Sequence, residues 1–335
     1  MGVDVLKVKL PPRVRMDCYR MAIYPILKYY GLDADLLFIK NDSTLGYKSE
    51  LYIDEIECYN MEDMLNDFNI EIIPLNVINE KEIISVIKRA IDDEIFVICL
   101  MDVYYYSPFR AVFHKLHTVH GIPVYGYNEE KKVFYVIDSD YLESFNRTFL
   151  EVSYEDVINS VIGYSRMGRS FNIQLFVRTS NKEIPLSLMK EIRIKYAIQY
   201  GKCIDQEKYN GYVNEFINLY NYICTSCSSE KEMLNFTKKS YKYIDKFINA
   251  RMLEYYGMPF VFKNIESLRQ FNYITIEKSN LVRSIMYRTL YTGEYRKESF
   301  EKFPSCFEVI LNREISRLDF INSFKWVDNI QMFKL

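Results

Sequence analysis

His120-Gly121-Ile122-Pro123-Val124-Tyr125-Gly126-Tyr127, then Asn128-Glu129-Glu130-Lys131, then Lys132-Val133-Phe134-Tyr135-Val136-Ile137-Asp138, is the stretch that decides the fold. Two strand-length apolar runs, 118–127 and 132–138, flank a short polar segment. That pattern predicts an antiparallel β-hairpin. In a hairpin the start of one strand lies beside the end of the next, so Asp138 returns to the neighbourhood of His120. A carboxylate placed there can hold an imidazole in one tautomer and one orientation. Asp140, two residues on, competes for the same role, and both acids also suit ordinary turn positions at a strand end.

Working outward, 71–75 and 171–177 read as strands, and the continuous apolar run 95–100 reads as a buried strand. Residues 80–92 form an amphipathic helix pattern with Ile83, Ile84, Ile87 and Ile91 on one face. Ser153 followed by Glu155 and Asp156 has the chemistry of a helix start. Beyond about residue 180 the pattern is almost wholly helical, with expected spans 186–200, 208–226, 230–256, 264–292 and 305–321. The expectation is an α+β protein in two parts. Residues 1–180 carry a central antiparallel sheet, and 181–335 form an α-helical domain.

An N-terminal helix is predicted over 18–30, with Gly31 as its stop signal and Pro25 as a residue that removes a backbone donor. Cys18 opens that helix. Free N–H groups and the partial positive charge of a helix N-terminus favour a thiolate, and the same N–H groups can hold an oxyanion. Cys18 is thus a candidate nucleophile and His120 its candidate base. Against this stands the plain alternative that Cys18 is one of seven scattered thiols.

Bulk properties narrow the functional classes. The 335 residues carry 43 Lys plus Arg and 45 Asp plus Glu, a net charge of −2, without the basic excess of a nucleic-acid binder. No apolar run reaches membrane-spanning length and the N-terminus lacks a signal-peptide core, so a cytoplasmic protein with no membrane partner is expected. An odd, dispersed set of cysteines suits reduced thiols rather than a disulfide framework. His114, His117 and His120 share one stretch, but no Cys or acidic partner at zinc-like spacing accompanies them. One His as a base with the others incidental is the preferred reading, and no metal is expected. Cys224-Thr225-Ser226-Cys227 is a lone CxxC without a second pair, read as structural. Lys238, Lys239 and Lys242 form either a basic docking patch or, more simply, a solvated helix face.

Taken together, Asp17-Cys18 with its helix ending Tyr29-Tyr30-Gly31, the segment from Asp102 to Phe109 followed by His117 and His120, the run Val124-Tyr125-Gly126-Tyr127, and Phe134 to Asp138 resemble a known pattern. The pattern is similar to the N-terminal domain of the butirosin biosynthesis protein H family, a papain-like acyltransferase fold related in logic to bacteriocin-processing cysteine peptidases. The likeness covers roughly residues 10–180. It implies a papain-like fold with Cys18 as nucleophile, His120 as base and Asp138 as orienting acid, Gly126 and Tyr127 being structural. It also implies an acyl group taken from a carrier-protein phosphopantetheine thioester and passed through a cysteinyl thioester to a small-molecule amine, without a resident cofactor. Members of this kind serve clostridial antibiotic pathways, including polythioamides of the closthioamide type, and the Ile-, Lys- and Asn-rich composition suits an AT-rich host.

One departure bears on chemistry. Papain-like peptidases carry Gln shortly before the Cys as an oxyanion donor. Here 11–17 contains neither Gln nor Asn, leaving Arg13, Arg15 or the Cys18 backbone N–H for that role. This favours an activated thioester donor over an amide. The competing expectations are a cysteine peptidase, amidase or thioesterase of the same fold, and a non-enzymatic binding module.

Overall fold

The structure is a computed structural model, and it describes residues 4–11, 17–48, 50–139, 147–180, 182–203, 206–226 and 229–331. Along the chain come β1 (Asp4–Val5), α1 (Cys18–Tyr29), β2 (Asn41–Tyr47), β3 (Leu51–Glu57), α2 (Met61–Asp67), β4 (Ile70–Leu75), α3 (Glu80–Asp92), β5 (Phe96–Asp102), β6 (Val119–Asn128) and β7 (Val133–Asp138). There follow β8 (Thr148–Ser153), α4 (Tyr154–Arg166), β9 (Ile173–Arg178), α5 (Leu186–Gly201), α6 (Gln206–Ser226), α7 (Glu230–Gly257), α8 (Glu266–Thr292), α9 (Lys297–Phe300) and α10 (Phe303–Ser323). The protein is mixed α+β with antiparallel sheets and a helical C-terminal region.

Two compact units emerge. One comprises Met1–Leu37 and Met61–Ile192, the other Phe38–Asn60 and Arg193–Lys334. The division therefore falls inside α5, later than residue 180. It also departs from the sequence expectation in placing 38–60 with the helices.

The first unit is built on a sheet of strand order β4-β9-β5-β6-β7-β8, every neighbouring pair antiparallel, with β1 pairing β6. The run Phe96 to Cys99 is fully buried, as a strand covered on both faces must be. Val97, Cys99, Met101, Ile122, Val124, Phe134 and Val136 join Ile83, Ile87 and Ile91 of α3 and Val157 and Val161 of α4 in one core. The helix starts follow local chemistry. Asn79 accepts from the Lys81 and Glu82 N–H groups at α3, and Ser153 accepts from Asp156 N–H at α4. Gly31, just past α1, adopts φ +71°, the left-handed conformation that glycine tolerates best.

The β6–β7 hairpin carries the decisive detail. Asn128 accepts from the Glu130 and Lys131 N–H groups and so builds the turn. The register runs Tyr127↔Phe134 and Gly126↔Tyr135, then slips at a bulge to Val124↔Val136. Extending the slipped register puts Asp138 opposite Ile122, on the strand face shared with His120. Without the bulge Asp138 would oppose Pro123 on the other face, because a one-residue slip inverts every side chain.

The second unit packs the β2–β3 hairpin with α6, α7, α8 and α10. Leu45, Tyr47 and Leu51 of the hairpin enter one core with Leu219, Phe247 and Phe307. That shared apolar core is why 38–60 belongs with the helices. A buried ionic cluster reinforces it. Arg317 pairs with both Asp42 and Glu254, and Arg251 lies 3.1 Å from Glu254 and 2.9 Å from Glu314. Glu254 also accepts from the Asn272 side-chain amide at 2.9 Å and from the Tyr200 hydroxyl at 3.2 Å.

Candidate active site

Cys18 is the first residue of α1 because Asp17 caps the helix. The Asp17 carboxylate accepts from the Arg20 backbone N–H at 2.8 Å and also pairs with the Arg20 guanidinium. Arg20 is itself held by Leu37 O at 3.2 Å. The cap leaves the N–H groups of Cys18 and Tyr19, which have no intrahelical acceptor, at the nucleophile. The helix continues unbroken through Pro25, which is buried with its neighbours. The thiol of Cys18 is half-buried, and the His120 side chain and the Gly121 backbone N–H lie near enough to favour its thiolate.

His120 is buried at the start of β6, and its Nε2 lies 2.9 Å from Asp138 Oδ2. With Nε2 committed to the carboxylate, Nδ1 is the nitrogen left to meet the thiol. Asp138 is fully buried. Its other oxygen accepts from the Ser139 N–H at 2.8 Å and pairs with the guanidinium of Arg147. Cys18, His120, Asp138 and Arg147 thus form a chain of contacts in one unit. Tyr106 and Phe109 wall in the imidazole, the Phe109 ring 5.0 Å from it. Burial and the Asp138 charge hold the Tyr106 hydroxyl well above its ordinary value, so it stays neutral.

The electrostatics favour an ion pair. Burial pushes the Cys18 thiol up, but the hydrogen bond and charge of His120 and the Gly121 N–H outweigh it and bring it below the ordinary thiol value. Burial would depress His120, yet the charge and hydrogen bond of Asp138, followed by Cys18, lift it to about 9. Burial raises Asp138, and His120, Arg147 and the Ser139 N–H more than reverse that. Other thiols go the opposite way: burial pushes Cys99 up to about 12 and raises Cys306, and a hydrogen bond with Cys203, then burial, raises the half-buried Cys58. A lowered thiol beside a raised imidazole favours the thiolate–imidazolium form.

This sets a pH dependence. Alkylation of Cys18 by iodoacetamide is expected to be half-maximal below pH 9, the ordinary thiol value, whereas Cys99 stays unreactive. Chemistry that needs the imidazolium should fall off as pH rises through about 9, where His120 loses its proton. The raised His120 also contributes stability that is fully present below its ordinary 6.5 and is lost as pH rises through about 9. An alkylation profile for Cys18 no different from that of a free thiol would contradict the ion pair.

Of the sequence-derived candidates, Cys18, His120 and Asp138 come together. Asp140, Arg13, Arg15 and Cys227 lie outside the described residues. Cys224 is exposed on α6. Lys238, Lys239 and Lys242 are exposed on α7, and Lys239 lies 3.8 Å from Glu50. Arg147 was not singled out from sequence. Nothing local marks it, since its partner lies on the neighbouring strand.

His117, expected from sequence to be incidental beside the base, has a carboxylate partner of its own. His117 Nδ1 lies 2.7 Å from Asp102 Oδ2, giving the unit a second histidine–carboxylate pair. His114 instead stacks on Phe113 with ring centroids 4.0 Å apart. Among the described residues no group of three or more His, Cys, Asp or Glu is placed to hold a metal, and no helix is long and apolar enough to cross a membrane.

No known protein family and no curated protein matches the sequence, so what the site does rests on its own geometry.

Proposed function

We propose that the chain is a cysteine-dependent acyltransferase of papain-like fold. It would move an acyl group from a carrier-protein phosphopantetheine thioester, through a Cys18 thioester, to an amine. The observation that carries this reading is the Cys18–His120–Asp138 chain of contacts, with the thiol at a helix N-terminus and the imidazole fixed by a buried carboxylate. The order nucleophile on an N-terminal helix, base and acid on successive antiparallel strands supports the papain-like comparison.

In this reading the Cys18 thiolate attacks the thioester carbonyl, and the Cys18 and Tyr19 N–H groups are placed to meet the developing oxyanion. The imidazolium of His120 protonates the departing pantetheine sulfur. Exchange of one thioester for another is nearly thermoneutral, so this half-reaction does not have to overcome amide resonance. An amine then attacks the acyl-enzyme and forms the amide, restoring the thiol.

The test pairs a carrier-loaded acyl thioester plus a primary amine against a peptide panel and against thioester alone. Amide product dependent on Cys18 is expected. Peptide cleavage without amide product would replace the transferase with a peptidase. Hydrolysis that added amine cannot divert would make it a thioesterase. Neither reaction, with thioester binding retained, would leave a binding module.

A further inference from the structure

A fourth charged group completes the Cys18–His120–Asp138 chain. The Arg147 guanidinium pairs with Asp138 Oδ1, while His120 Nε2 lies 2.9 Å from Asp138 Oδ2. Asp138 pairs with Thr148 across β7 and β8, which brings Arg147 beside the end of β7. The Arg147 side chain is 9% exposed, against 3% for His120 and 0% for Asp138. Taking a guanidinium out of water is costly unless it meets an opposite charge. One buried carboxylate therefore serves two cations, one on each oxygen.

Charges alternate along this chain. In the resting enzyme the Cys18 thiolate, the His120 imidazolium, the Asp138 carboxylate and the Arg147 guanidinium sum to zero. On acylation the imidazolium gives its proton to the departing sulfur and Cys18 becomes a neutral thioester. Neutral His120, Asp138 and Arg147 again sum to zero. A proton taken back from solvent would leave a net positive charge in a buried site, which a low dielectric disfavours. Without Arg147 the balance reverses, because an imidazolium–carboxylate pair is neutral and His120 would keep its proton. The other groups facing this site do not change that balance. Asp17, beside Cys18, is paired with Arg20, and Tyr106, with Asp156 of α4 near it, stays neutral. In the resting enzyme burial works against the imidazolium, and Asp138 and then Cys18 hold it at about 9. Acylation removes the Cys18 share, and Arg147 offsets part of the Asp138 share.

Resting on the acyltransferase reading, we propose that Arg147 is a positioning residue that keeps His120 neutral in the acyl-enzyme and so makes it the base for the incoming amine. Once Cys18 is acylated, His120 Nδ1 no longer meets a thiol and its lone pair is free. The amine nitrogen forms the C–N bond to the acyl carbon, and its proton passes to His120 Nδ1. The C–S bond breaks with its electron pair returning to Cys18. The products are the amide and the thiolate–imidazolium pair from which the cycle began, so the protons balance. Arg147 acts through Asp138 and not on the substrate.

Two variants separate charge from hydrogen bonding. Arg147→Gln keeps a donor for Asp138 and removes the charge, whereas Arg147→Lys keeps the charge. Hexanoyl-pantetheine is the donor, and trifluoroethylamine, an amine weak enough to stay unprotonated near neutrality, is the acceptor. Intact-protein mass spectrometry reads the Cys18 acyl-enzyme and its decay on adding amine. For Arg147→Gln, acylation is expected within about threefold of wild type, while amine-dependent decay near about pH 7 slows by about tenfold or more and recovers as pH rises. Arg147→Lys should stay close to wild type. An unaltered pH profile of decay in Arg147→Gln, equal and pH-independent losses of acylation and decay, or a lysine variant as slow as the glutamine one would overturn the role of Arg147. Carbamidomethylation of Cys18 supplies a readout that needs no acyl transfer, since it too makes the sulfur neutral. Nuclear magnetic resonance then follows the titration of His120, one of three histidines in the chain. It is expected to lie higher by about one pH unit or more in Arg147→Gln than in wild type, and coincident titrations would overturn the inference. Absence of any wild-type acyl-enzyme would remove the acyltransferase reading, a result that the imidazole titration tells apart from a failure of Arg147.

Discussion

Replacing Cys18 with alanine is expected to reduce acyl transfer by about 10⁴-fold or more, to the level of bound but uncatalysed reactants. The thiol is half-buried at the first position of α1. Its removal takes away the nucleophile without opening a large cavity, so the fold should survive and the loss should be chemical. Asp138→Asn is the companion substitution. It keeps the shape but replaces an acceptor-only carboxylate with an amide able to donate to Nε2, which releases the tautomer control on His120. A loss of about 10² to 10⁴ in kcat is expected there. Circular dichroism and thermal unfolding close to wild type would complete the result for Cys18→Ala. Full activity in that variant would remove the nucleophile assignment outright.

The second large effect concerns stability. Asp42, Glu254 and Glu314 supply three buried carboxylates against the two guanidinium groups of Arg251 and Arg317. Burial raises Asp42 and Glu314 despite the nearby arginines, whereas the two arginines more than offset burial at Glu254 and hold it well below the usual carboxylate range. Three carboxylates facing two cations balance when one of the two raised carboxyls, Asp42 or Glu314, is protonated. Arg317→Met breaks that balance, since it leaves the carboxylates with one cation in a site that water does not reach. Removing one partner of such a cluster typically costs 3–5 kcal/mol, so a loss of about that size is expected in urea unfolding of the second unit. Part of the loss should be recovered at lower pH, because protonation relieves the uncompensated carboxylates. A loss below about 1 kcal/mol would show that the cluster contributes little net stability.

Much of this architecture is legible in the residues because local chemistry and tertiary packing agree. Asp17, Asn79 and Ser153 cap the helices that follow them, and the apolar run near residue 96 can only be a buried strand. The long helices of the second unit start and stop within a few residues of where Gly, Ser and Pro punctuate the sequence. The β2–β3 hairpin is less legible. Asn41, Asp42, Ser43 and Thr44 give no apolar alternation, and the strand is held by its register with β3 and by Asp42 meeting arginines more than two hundred residues away.

The candidate site divides in the same way. Cys18, His120 and Asp138 can be paired from spacing because a hairpin is a local device. The bulge that puts Asp138 and His120 on one face has no comparable signature, and without it the same spacing would separate them. Arg147 and the Asp102–His117 pair escape the reading for a related reason. Each becomes meaningful only when a strand neighbour supplies its carboxylate, and residue type alone does not reveal that neighbour.

The most direct test of the central claim is intact-protein mass spectrometry of the wild-type chain incubated with an acyl-pantetheine thioester, followed by peptide mapping. The expected result is a single adduct of acyl mass on Cys18 that added amine discharges as the amide and that Cys18→Ala never forms. No adduct on the wild-type chain, or an adduct that persists in Cys18→Ala, would contradict it.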